Sequence, residues 1–329
     1  MLVDKDNLTF FNIKAHALRG KTFFKGILEY RNKILPLHKY RIQMPNKYQC
    51  VLCGSNHGEL LLEWEEGYQI YQCQECGAAS PNISGDIPSK HIEEVYQTEL
   101  YQKKIISEIH NQYEYRKNEF GSERYRYVIE RLGLQHEKIK LLDVGCGAGY
   151  FLSYLKDKGV QSKGLEVTQS LVEYCQTQGI NVQSTDVEEE PDNEYDVIVM
   201  FDVLEHLYDP VLFINSLKNK LKENGYIVAY TPNIYSVAYE LMGALQNTLL
   251  PFEHVCFFDG NSFSFLAEKT GMKIYSLETY GFDIMDYLLM KEYEDDFPYT
   301  EKLHKLMVWL QAYLDKEGVS NHFRLTLKK

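Results

Sequence analysis

Two groups of residues in this chain of 329 have types and spacing that can do chemistry. The first is a pair of Cys-x-x-Cys steps, Cys50 with Cys53 and Cys73 with Cys76, separated by 19 residues. Each step puts two thiolates on one tight turn, and two such turns supply the four donors that tetrahedral zinc takes. Gly54 and Gly77 each follow the second cysteine of a step and ease the turn. A redox-active pair would be single and set beside a strand–helix–strand unit, whereas these matched pairs lie in a short turn-rich segment. Four cysteines complete the coordination shell, so His57 is not required, and zinc there has a structural role.

The second group is Asp143-Val144-Gly145-Cys146-Gly147-Ala148-Gly149. It follows an apolar run that reads as a strand and opens a helical pattern, the context in which glycines let the backbone approach a ligand. A dinucleotide site would read GxGxxG, with the pyrophosphate on the helix N-terminus. Here the spacing is GxGxG, Tyr150 takes the sixth place, and Asp143 precedes the turn. An acid beside the turn disfavours an anionic pyrophosphate and suits a cationic or zwitterionic ligand. S-adenosylmethionine has that chemistry: a sulfonium, an ammonium and no phosphate. Glu166 stands 23 residues after Asp143 at the expected end of the next strand, where an acid can accept from two ribose hydroxyls. Asp186 ends the third expected strand, placed to accept from an adenine amino group beside the Val187 N–H. Cys146 reads as a packing residue of the turn rather than a nucleophile.

These residues need a frame. KIKLLDVG (138–145), SKGLEV (162–167), INVQST (180–185), YDVIVMFDVL (195–204) and GYIVAYTPN (225–233) read as strands. GYFLSYLKDKG (149–159), SLVEYCQTQG (170–179) and DPVLFINSLKNKLKENG (209–225) read as the helices between them, with terminal glycines and Asp209 as an N-cap. The alternation predicts an α/β domain, a doubly wound sheet, over 133–329. Two further strands are expected at 272–281 and 322–329, with a helical insertion near 291–317. Ahead of this domain the sequence predicts a basic arm (1–45), a zinc-ribbon-like module (46–85) and a helical linker or lid (86–132). The linker is expected to break at Gly121-Ser122, and its Tyr115, Tyr125 and Tyr127 to cover the ligand.

Residues 138–285 resemble the class I S-adenosylmethionine-dependent methyltransferases. LLDVGCGAG at 141–149 is similar to their first binding motif, GLEVT at 164–168 to their second-strand acid, and TDVEE at 185–189 to their adenine-contacting segment. FDVLEHLYDP at 201–210 is similar to the fourth-strand motif of the branch that includes ubiquinone-pathway and sugar methyltransferases, and TPN at 231–233 to the fifth-strand end. The resemblance implies a Rossmann-like fold with S-adenosylmethionine as cofactor. It implies contacts from Asp143, Gly145, Cys146, Gly147, Gly149, Glu166, Val167, Asp186, Val187, Phe201 and Asp202. A four-cysteine module followed by a tyrosine-rich stretch (Tyr96 to Tyr101) is similar to some bacterial methyltransferases of polysaccharide and secondary-metabolite clusters. That similarity extends the match to 48–285 and implies a small-molecule or glycan-precursor acceptor.

Methyl transfer is an in-line displacement in which positioning does much of the work. A hydroxyl or acidic-carbon acceptor gains from a general base, and histidine suits neutral pH. His206 follows the fourth expected strand. His254 lies in PFEHVCFFDG, where related enzymes place a His-x-x-x-Phe segment over the acceptor pocket. Each also has a plain structural reading, His206 as an anchor for the helix start at Asp209 and His254 as a satisfied loop residue.

Composition narrows the partners. Charged residues are 25% and hydrophobic residues 44%, the balance of a globular protein. A net charge of -12 does not suit a phosphate backbone. Residues 14–47 run against this trend, with nine Lys or Arg and one acid, Glu29. That arm meets an anionic partner or docks on the acidic body of its own chain. An RNA methyltransferase gripping through zinc module and arm is one alternative; a non-catalytic S-adenosylmethionine-binding protein is another. A nicotinamide-dependent oxidoreductase is disfavoured by the glycine spacing. Seven cysteines, four of them in zinc-type spacing, fit a reducing, cytoplasmic setting, and no signal peptide or membrane span is read from the sequence.

Overall fold

Continuous apolar runs four to seven residues long, broken by helical patterns, dictate parallel strands buried on both faces. In the computed structural model residues 14–20, 22–42, 48–64, 67–83 and 112–329 are described. The expected tyrosine-rich stretch 96–101 and part of the basic arm lie outside them. Three strands, β1 (Gly58–Glu63), β2 (Gln69–Cys73) and β3 (Ala79–Pro81), form an antiparallel sheet in that order. Seven more form the main sheet: β4 (Lys140–Val144), β5 (Gln161–Leu165), β6 (Val182–Gln183), β7 (Tyr195–Phe201), β8 (Leu221–Pro232), β9 (Lys273–Tyr280) and β10 (His322–Lys328). Their order is β6-β5-β4-β7-β8-β10-β9. The β5–β4, β4–β7, β7–β8 and β5–β6 pairs are parallel. The chain leaves β4 toward β5 and β6, then returns to β7 and β8, so the winding reverses between β4 and β7. In such sheets the crevice outside the carboxyl ends at that reversal is where ligands bind.

The described residues divide into two compact units. One lies within 85–230 with 264–276 and 325–329. Its core is built from β4 (Leu141), β7 (Val197, Val199) and β8 (Val228), covered by Phe151, Leu152 and Leu155 of the helix Tyr150–Asp157. A helix over residues 112–130 contributes Tyr125, Tyr127, Val128 and Ile129 to the same core. Tyr125 and Tyr127 are therefore core residues, not the ligand cover that the sequence suggested. The other unit lies within 1–84 with 231–263 and 277–324. It holds the three-stranded sheet, the helix Phe23–Leu37 and the helices Asp283–Asp295 and His304–Glu317.

Several boundaries differ from those expected, each for a local reason. Gly121 does not break its helix: its φ of -59° is helical, and π-type turns at Lys117–Gly121 and Arg126–Glu130 flank the α turn Ser122–Tyr125. Glycine is there because the neighbouring helix is too close for a side chain. A Cβ on Gly121 would meet Tyr154 Cβ at 2.7 Å. The helix expected to 225 stops at Lys220, where ladder pairing takes over: Asn193 and Glu194 N–H donate to the carbonyls of Asn219 and Lys220, and Leu221 pairs with Tyr195. The third strand shrinks to Val182–Gln183, since only these two residues pair with Gly164 and Leu165. The insertion becomes three helices, Asp283–Asp295, Tyr299–Lys302 and His304–Glu317.

The arginines of the basic arm turn inward within their own unit. Arg31 is buried, donates to the carbonyls of Ala244 and Gln246, and has its pKa drawn down by burial to about 10. Arg19 lies 3.8 Å from Asp286, and the buried Arg41 sits 5.4 Å over the Phe252 ring.

Replacing glycine by alanine inside a helix ordinarily stabilises by ~0.5–1 kcal/mol. At Gly121 the contact with Tyr154 reverses the expected sign. Gly121→Ala should lower stability by ~1–3 kcal/mol in urea unfolding. A gain in stability would show that the helices are free to part.

Candidate cofactor-binding site

The site starts with the loop between β4 and the following helix. Gly145 and Cys146 N–H both donate to Leu165 O, at 2.8 and 3.1 Å. Gly147 N–H donates to Glu166 Oε2 at 2.8 Å, and Thr168 N–H to Glu166 Oε1 at 2.8 Å. The Glu166 carboxylate thus ties the glycine loop to the turn after β5. Each oxygen keeps acceptor capacity for a further donor. Gly145, Gly147 and Gly149 have φ of 69°, 55° and 72°, the left-handed region where glycine is at no cost. A Cβ on Gly145 would meet Val203 Cγ2 at 2.5 Å, whereas one on Gly147 would project into open space. At Gly147 the bare backbone is therefore open to a ligand. Cys146 is half-buried, and its Sγ fills the space beside Gly164.

Asp143 sits under this loop and is 2% exposed. Burial pushes its carboxyl up to about 7; the Glu166 charge adds to the rise and Arg124 opposes it. Arg124, from the helix 112–130, lies 4.0 Å over the Phe201 ring. Phe201 packs edge-on against Tyr230, with centroids 4.7 Å apart. Asp202 is exposed at the end of β7 with φ of 59°, a conformation Asp tolerates better than most residues, and its N–H donates to Tyr230 O at 2.9 Å. Backbone held in this way recurs at functional sites. Sequence reasoning missed Arg124, because an arginine on an amphipathic helix carries no spacing signal.

Parallel register carries the rest to the same edge. Val144 pairs with Leu165 and Met200, and Phe201 with Tyr230, so the residues after β4, β5 and β7 emerge side by side. Val167 is 49% exposed there, next to Glu166. Asp186 is exposed and starts a short 3-10 turn with Val187 buried beneath it. The same unit holds His206, half-buried, its Nε2 3.9 Å from Oε1 of the fully buried Glu205. Asp209 caps the next helix by accepting from Leu212 N–H at 2.9 Å.

His254 belongs to the other unit and is 7% exposed. Its Nδ1 stands 2.6 Å from Thr248 O, a group that only accepts, so Nδ1 carries a proton and donates. The segment around it is packed against the cysteine module. Ala79 and Phe257 exchange two backbone bonds of 2.8 Å, Phe252 N–H donates to Tyr68 Oη at 3.3 Å, and Tyr30 Oη donates to Glu253. Tyr68, Ile70, Ala79, Leu249, Phe252 and Phe257 form one apolar cluster.

The four cysteine sulfurs lie within 4.8 Å of one another. Cys50 and Cys76 sulfurs are 3.6 Å apart, and Cys53 and Cys73 sulfurs 3.4 Å. A disulfide would bring a pair to ~2.05 Å. Four sulfurs at ~2.3 Å around one tetrahedral ion stand ~3.8 Å apart, close to what is seen. The two turns are built alike, with Gly54 N–H donating to Cys50 O at 2.9 Å and Gly77 N–H to Cys73 O at 3.0 Å.

Residues 115–277 match a family described as a methyltransferase domain. The ubiquinone biosynthesis O-methyltransferase of Rickettsia felis is 33% identical over 128 residues, 36% of this chain and 52% of that protein. That of Rickettsia typhi is 33% identical over 126 residues, 35% of this chain and 51% of that one. Over residues 115–277 the chain is therefore similar to methyltransferases. The chain spans about half the length of the curated relatives it matches. A solved S-adenosylmethionine-dependent methyltransferase from Archaeoglobus fulgidus aligns at 21% identity and a TM-score of 0.47, over 70% of this chain and 98% of that one. Among the described residues, no helix is long and apolar enough to cross a membrane.

The raised pKa of Asp143 has a stability consequence. Between its ordinary value and about 7, the folded state holds a proton that the unfolded chain has lost. Asp143 therefore costs stability increasingly as pH rises through this window, and acidification removes the cost. Asp143→Asn should melt with the wild type at about pH 4 and exceed it at about pH 8 by on the order of 4 kcal/mol. Melting curves across that range check it; equal curves at both ends would mean that the carboxyl is not held protonated.

Proposed function

We propose that the chain binds S-adenosylmethionine along the carboxyl edge of the main sheet and transfers its methyl group to a small-molecule or glycan-precursor acceptor. The observation that carries this reading is the glycine loop tied to Glu166 over a buried Asp143. It offers open backbone at Gly147 with carboxylates beneath, the environment of a cation rather than of a pyrophosphate. The cofactor supplies a methyl group on a positively charged sulfur. Glu166 and Asp186 accept from the nucleoside hydroxyls and amino group, and Val167 and Val187 flank them. Phe201 and Asp202 border the amino-acid end. Arg124, held over Phe201, offers its guanidinium to a carboxylate. O-methylation is what the relatives' names report, and a hydroxyl acceptor needs a base. We assign that role to one of the two histidines that follow strand ends, His206 or His254. The cysteine set fits one zinc ion, with Cys50, Cys53, Cys73 and Cys76 as a closed shell that stabilises the module and leaves no position for substrate. The buried Arg31 and Arg41 are unsuited to gripping RNA, which disfavours that alternative.

Calorimetric titration with S-adenosylmethionine tests the reading. The wild type should bind one equivalent, and Arg124→Met should weaken binding at least about tenfold. Of His206→Gln and His254→Gln, the variant that removes the base should bind as the wild type does yet turn over ~100-fold or more slower with the acceptor. No heat with the wild type would overturn the assignment.

Zinc content and chelation test the module separately. One zinc per chain is expected, and its removal should speed hydrogen exchange at the Ala79 and Phe257 amides, which bond each other. Unchanged protection at both after full metal removal would show that the ion does not hold the module.

A further inference from the structure

Helix His304–Glu317 presents two unlike faces. Met307 and Ala312 are buried within its unit, and Gln311 donates to Asp283, Asp315 and Ser320. The opposite side carries Leu306, Leu310 and Tyr313, exposed to 53%, 40% and 40%, with Leu303 at the joint before the helix exposed to 37%. Positions 303, 306, 310 and 313 follow a three–four–three spacing, which lines up one apolar seam along a helix. Helices bury such seams against other helices with the same period.

We propose that this seam pairs antiparallel, about a twofold axis near Val308, with the same seam of a second copy of this chain. The occupant follows from the symmetry of the pattern. Reflecting 303, 306, 310 and 313 about 308 returns the same four positions, so a twofold sets Leu306 against the partner's Leu310. It sets Leu303 against the partner's Tyr313. A seam that matches itself in this way needs no other protein to complete it. Charge agrees: the antiparallel arrangement brings the exposed Lys302 to within about one turn of the partner's Glu317. The four side chains, with Phe297 at 46% and Tyr293 at 51% exposure on the preceding segment, offer on the order of 500 Å² of apolar surface per copy. Two copies reach the ~1,000 Å² at which specific association becomes stable, so a micromolar dimer is the expected strength.

Light scattering on the eluting 329-residue chain, from low micromolar to about 100 µM, reads the outcome. The wild type should run as a dimer at the upper concentrations. The double variant Leu306→Asp with Leu310→Asp should run as a monomer, with unchanged circular dichroism and unchanged S-adenosylmethionine affinity, since both side chains are exposed. Lys302→Glu should weaken the dimer about tenfold through two repulsive contacts, and adding Glu317→Lys should restore it. A wild type that stays monomeric at every concentration overturns the proposal. So does a dimer that survives both aspartates, or one that responds to Lys302→Glu but is not rescued by Glu317→Lys.

Discussion

Most of the candidate cofactor site depends on one carboxylate. Glu166 takes the N–H of Gly147 on one oxygen and that of Thr168 on the other. A glycine loop with three left-handed residues has no stiffness of its own, and it is held because these bonds and the two to Leu165 O anchor it to the neighbouring strand. The anchor is charged and largely buried, so it is stronger than a neutral bond and raises the electrostatic cost of a second anion nearby. Burial first, with a smaller contribution from the Glu166 charge, keeps the Asp143 carboxyl protonated toward neutrality.

The main sheet was legible from sequence because its strands are buried on both faces and read as unbroken apolar runs. Asp143, Glu166 and Phe201 could be assigned to strand ends for that reason alone, and parallel register then placed them together. The cysteine pairs were legible because ligand spacing is a short-range property, and their sulfurs do converge. What failed depended on contacts distant in sequence. The continuity of the helix through Gly121 is set by Tyr154, and the early stop at Lys220 by pairing with residues 193–195. Arg124 acquires its place only when its helix crosses Phe201. The helices at 260–270 and 283–295 were not foreseen. The second of these carries buried Asp283 and Asp286 among its core residues, which obscures its apolar period.

The two histidines illustrate why residue type alone could not rank them. Both follow strand ends in the sequence and both have an acidic neighbour. What separates them is a carbonyl. Thr248 O holds Nδ1 of His254 as a donor, while the His206 Nε2 stands 3.9 Å from the Glu205 carboxylate, beyond hydrogen-bond range.

The bond pair between Ala79 and Phe257 joins segments 178 residues apart in the chain. A nascent polypeptide leaves the ribosome with its four thiols long before the segment around Phe257 is synthesised. Until then the outer strand of the cysteine sheet is an open edge, and a zinc ion on the four thiols, as proposed, would keep the early-made part from sticking to other chains. In metal-poor cells, losses of this protein should therefore fall on newly made molecules rather than on those already folded.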